Sequence, residues 1–81
     1  KMIDRLKNGC KPTVLLYELV KKHPELTIYE LASAFCEQFK NLDGEAVQTI
    51  WYWESGGRKN GFTDSELDEK LIDLLKKAGY L

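Results

Sequence analysis

Eighty-one residues, 43% of them hydrophobic and 31% charged, suffice for one domain and leave no room for a second core. That balance excludes a disordered tail, and no apolar run approaches the length of a membrane span. A net charge of -1 and a pI near 5.8 argue against strong, nonspecific nucleic-acid binding, which needs an excess of Lys and Arg to displace phosphate counterions.

The charge is unevenly spread. Residues 1–11 hold Lys1, Arg5, Lys7 and Lys11 against Asp4 alone, whereas residues 41–81 hold eight acids against five bases. The two cysteines, Cys10 and Cys36, form no CxxC pair and follow no signal-like segment, so free thiols in a cytoplasmic protein are expected.

In chain order, MIDRLKN at 2–8 can make two helical turns ending at Gly9. Pro12 suits the first turn of the next helix, whose apolar residues Val14, Leu15, Leu16, Leu19 and Val20 predict burial on most sides. His23-Pro24 stops it. Thr27-Ile28-Tyr29-Glu30 is a capping box, and Ile28, Leu31, Ala32, Phe35 and Phe39 then keep to a single helical face, with an end expected near Asn41. Asp43 is an N-cap for a helix over about 44–55, closed by Gly56 and Gly57. On it Ala46, Val47, Ile50, Trp51 and Trp53 share one broad side, and Glu45, Gln48, Thr49, Tyr52 and Ser55 the other. Thr63-Asp64-Ser65-Glu66 repeats the capping box, and Leu67, Leu71, Leu74, Leu75 and Ala78 make the last core stripe, with Gly79 as C-cap. No segment alternates as a strand does. The expected fold is all-α: a compact bundle of four short helices, or five counting the N-terminal turns.

Two stretches resemble a known superfamily. LLYELVKKHPELTIYELASAF is similar to the opening of bacterial and archaeal helix-turn-helix domains, in which a "T-x-x-E-L-A" helix precedes a recognition helix. IWYWESGGRKN resembles the end of recognition helices in the phage-repressor-like family, through Ile50, Trp53, Glu54, Gly56 and Arg58. The chain is longer between Ala32 and Trp53 than the repressor-type motif, and a second helix extended over Cys36–Lys40 would take up the difference. The resemblance implies a regulatory domain that reads double-stranded DNA through helix three, about 44–55, as a homodimer. Gln48, Thr49 and Ser55 would meet bases or phosphates, Tyr52 would stack or reach a phosphate, and Arg58 and Lys59 would hold the backbone.

The alternative is a protein-interaction module that presents the same aromatic and basic face to a partner. Trp51 is then either a core-rim residue or an exposed anchor. The acids Asp64, Glu66, Asp68 and Glu69 suit the positive start of the last helix, so no carboxylate chemistry is assigned to them. His23 with Cys10 and Cys36 matches no zinc spacing, GGRKNG is too short for a phosphate loop, and Cys36 reads as a small core residue. Neither an enzyme nor a cofactor nor a membrane partner is expected.

Overall fold

Local start and stop signals set most of the architecture. A computed structural model describes residues Lys1–Leu81 as five helices: α1 (Met2–Lys7), α2 (Pro12–Lys22), α3 (Ile28–Cys36), α4 (Gly44–Trp51) and α5 (Asp64–Lys77). A 3-10 turn, Glu54–Gly56, lies between the last two. There is no sheet, only one isolated parallel bridge between Trp53 and Phe62. Both expected capping boxes form. The Thr27 hydroxyl accepts the Glu30 N–H at 3.2 Å while the Glu30 carboxylate accepts the Thr27 N–H at 2.9 Å. Thr63 and Glu66 repeat the arrangement at the same two distances. Asp43 caps α4 by accepting the Glu45 N–H at 2.9 Å.

The helices close on one core containing Leu15 and Leu16 of α2, Leu31 and Phe35 of α3, Ile50 of α4, and Leu67, Leu71 and Leu75 of α5, all buried. Each fully buried Leu, Ile or Phe contributes about 1.5–3 kcal/mol over its exposed state. Solvated surface pairs such as Asp73–Lys77 weigh little beside that.

Four expectations need correction. First, α2 is buried along one side only; Val14, Tyr17 and Val20 are exposed. Second, α3 ends at Cys36 and does not run on to Lys40. Successive i→i+3 turns, Phe39 N–H to Cys36 carbonyl at 2.9 Å and Leu42 N–H to Phe39 carbonyl at 3.0 Å, replace it. They lay Phe39 in the core against Phe35 and Tyr80, at 5.2 and 5.3 Å between ring centroids. The Tyr80 hydroxyl accepts the Asn41 N–H at 3.2 Å, so the returning C-terminal segment holds the chain off a helical path.

Third, α4 stops at Trp51, ahead of the two glycines. Trp53 is extended, with φ -69° and ψ 130°. The Phe62 N–H bonds the Tyr52 carbonyl at 2.8 Å and the Glu54 N–H bonds the Phe62 carbonyl at 3.0 Å. The buried Trp53 indole N–H reaches Asp64 at 2.8 Å. A buried indole needs such a partner, and these tertiary bonds outweigh continuation of the helix.

Fourth, Asp64 and Asp68 do more than offset a helix dipole. Nothing in its own sequence caps the start of α2. Asp68, buried on α5, accepts both the Thr13 N–H at 2.8 Å and the Thr13 hydroxyl at 3.1 Å. The cap comes from a helix 55 positions further along the chain.

Candidate interaction surface

Three sides of α4 diverge, at about 100° per residue. Ala46 and Ile50 point into the core. Glu45, Thr49 and Tyr52 lie on a second side, roughly 110° round from the core side. On the third side, Gly44, Val47, Gln48 and Trp51 line a hollow of about 340 Å³ whose far wall is Tyr29 of α3. Of the two residues expected with the core side, Val47 packs against the core and also lines this hollow, whereas Trp51 stands exposed over it. Trp51 also walls a second hollow of about 390 Å³, with Ile28, Gly56, Gly57, Arg58 and Lys59. The two hollows adjoin across the Trp51 indole, and together they make a trough that is apolar at the Tyr29 end and basic at the Lys59 end. Trp51 is 40% exposed and Tyr29 63%.

The basic end is organised by aromatic faces. The Arg58 guanidinium carbon lies 4.0 Å from the Trp51 ring centroid and 4.7 Å from that of Tyr52. Trp51 and Tyr52 meet edge to face at 5.3 Å, Tyr52 continues to Phe62 at 6.2 Å, and Lys70 covers Phe62 at 4.7 Å. A cation over an aromatic face is held by the ring quadrupole. The chain's ion pairs all lie elsewhere, so Arg58 rests on the two rings with no carboxylate partner. The loop owes its shape to Gly57 at φ 99°, Asn60 at φ 63° and Gly61. A Cβ on Gly61 would sit 2.2 Å from the Tyr52 carbonyl oxygen.

The residues expected to form one face divide. Gln48, Tyr52 and Lys59 are exposed, with Gln48 and Lys59 on the trough. Thr49 is half-buried, its hydroxyl bonded to the Glu45 carbonyl of its own helix at 2.7 Å. Ser55 leaves the α4 face and the trough, and lines instead a separate hollow with Glu54, Arg58 and Lys59. Freed from α4 by the extended Trp53, it shares a 2.9 Å hydroxyl bond with Tyr17 of α2. Tyr17 donates its one proton to Asp64 at 2.9 Å, so Ser55 donates to Tyr17. With the Trp53 indole, this makes Asp64 a hub tying α2 and the 3-10 turn to α5. The Ser55 bond pulls the Tyr17 pKa down, but burial and the Asp64 carboxylate outweigh it and hold the phenol above its ordinary value.

Sequence reasoning missed Tyr29 and Val47. Tyr29 left a signal, for it falls outside the Ile28, Leu31, Ala32, Phe35 stripe and so had to face away from the α3 core contact. Elsewhere, burial pushes the Cys36 thiol up to about 11, which leaves it protonated and unreactive at neutral pH. His23 is exposed, 3.7 Å from Glu25, and no cluster of His, Cys, Asp or Glu is placed to hold a metal ion. Comparison with known proteins found no matching family model, no matching curated protein and no matching solved structure.

Proposed function

We propose that this domain is a protein-interaction module whose trough between α3, α4 and the Gly57–Asn60 loop receives a segment of a partner protein. The observation that carries this reading is Trp51, held 40% exposed at the centre of the trough between an exposed Tyr29 and a stacked Arg58. Trp, Tyr and Arg are the residues that dominate protein interfaces, and they do so where they cluster around a hollow that water can leave. The near-neutral overall charge accords with a protein partner. The test is display of random short peptides on the wild-type domain and on Trp51→Ala. Peptides retained by the first and lost by the second support the reading; equal retention contradicts it. Truncating a central anchor of this kind weakens binding by about 2 kcal/mol or more.

A second reading, duplex DNA on α4, is favoured by one observation. Gln48, Tyr52 and Lys59 are exposed along and just beyond a helix that packs on a preceding capped helix, the order of a helix-turn-helix unit. Against it stand the Glu37–Asp43 connection, longer than a tight turn, and the acids Glu45 and Glu54 beside the same surface. Fluorescence anisotropy with a mixed-sequence duplex tests it. DNA binding requires an affinity that falls steeply with salt, and a shallower slope for Arg58→Ala and Lys59→Ala.

A further inference from the structure

We infer that the segment taken up by the trough is acidic: an apolar side chain seats among Tyr29, Val47 and Trp51, and a nearby Asp or Glu of the same segment lands on Arg58. This rests on the protein-interaction reading and names the partner's chemistry. Three observations converge on it. The Tyr29 half of the trough is walled mainly by aromatic and aliphatic side chains and carries no cationic residue, so it rewards an apolar group over a string of phosphates. The other half carries Arg58 and Lys59. No Asp or Glu lines either half, and Glu54, which shares an adjoining hollow with Arg58 and Lys59, forms an ion pair with neither.

Arg58 is also pre-set for the task. A guanidinium presents a planar fork of donors that matches a carboxylate, and its rotamer freedom is normally lost when it binds. Here the guanidinium already rests over the Trp51 and Tyr52 rings, which narrows the positions it samples, and no acid within the chain occupies the fork. Trp51 serves both halves, one part of its surface walling the apolar seat and its ring carrying the arginine. An apolar residue and an acid close together in one segment therefore engage two groups organised by one indole. Lys59, on the same loop, adds charge without a fixed geometry.

The experiment uses the peptides that the wild-type domain retains in display. They should share an apolar residue with an Asp or Glu within a few positions. Replacing that acid by Asn or Gln should weaken binding about thirtyfold or more, as truncating one partner of a desolvated charge pair does. On Arg58→Gln the same peptide change should have almost no further effect, and Arg58→Lys should restore only part of the affinity. Peptides that depend on Trp51 but show no acidic preference, or that ignore Arg58→Gln, would overturn this inference and leave the trough as a binding site. Failure to retain any peptide better than Trp51→Ala does would remove the protein-interaction reading itself. If mixed-sequence duplex DNA binds through Arg58 and displaces the peptides, the arginine serves phosphate and the inference falls.

Discussion

Asp68 is the residue on which two helices depend at once. Its carboxylate bonds both the N–H and the hydroxyl of Thr13 in a buried setting, and α2 has no other side-chain cap. Asp68→Ala strands the buried Thr13 N–H and should cost about 2–3 kcal/mol of unfolding free energy, measured by urea denaturation. Asp68→Asn keeps one acceptor and should cost roughly half as much. Equal stability of both variants with the wild type would mean that water or another group satisfies Thr13. The sequence shows four acids at the start of α5 and gives no local reason to single this one out. A contact across 55 positions has no periodicity or motif to announce it.

At the scale of the elements, the boundaries that local chemistry controls were legible and those that tertiary bonds control were not. Thr27, Asp43 and Thr63 announce helix starts because a cap acts within three residues of itself. The ends of α3 and α4 escape notice because Tyr80, Phe62 and Asp64 decide them from a distance. Trp53 could be assigned to the core from its spacing, but not the extended turn that takes it there or the departure of Ser55 that follows. Gly61 makes the same turn possible, since a Cβ there would collide with the Tyr52 backbone carbonyl. Gly61→Ala should therefore destabilise the fold by about 2 kcal/mol or more, read as a lowered thermal midpoint. Gly44 offers the opposite sign. It opens α4 with empty space around it, so Gly44→Ala should raise stability by about 0.5 kcal/mol in the same assay.

The helix caps also predict how these elements respond to acid. Glu30 and Glu66 have pKa values below the ordinary carboxylate range because each accepts a backbone and hydroxyl-linked bond from its capping threonine, and Glu18 is lowered by its bond to Arg5. A carboxylate whose folded pKa is depressed favours the folded state above its unfolded pKa. That contribution is lost as pH falls through the folded value. Helical circular dichroism should hold steady from neutral pH down to the ordinary carboxylate range and decline below it. Thr27→Val with Thr63→Val should move that decline to higher pH; no movement would mean that the caps are not coupled to these carboxylates. At the alkaline side the sign reverses, for Tyr17 is raised and its contribution is lost as pH climbs through its folded pKa.

At the scale of the whole molecule, the chain sorts two neighbouring tryptophans to opposite duties. Trp53 is 1% exposed, bonded to Asp64 and edge-on to Tyr17 at 5.1 Å. Trp51 stands 40% exposed over the trough with Arg58 stacked on it. Every proposal about binding depends on that division, because an indole needed for folding is not free to serve a partner. The direct test is a pair of unfolding free energies by urea denaturation. Trp53→Ala should cost about 3–5 kcal/mol, the loss expected of a fully buried aromatic. Trp51→Ala should cost no more than about 1.5 kcal/mol and leave the helical spectrum unchanged. A Trp51→Ala protein that unfolds, or that loses as much stability as Trp53→Ala, would contradict the account.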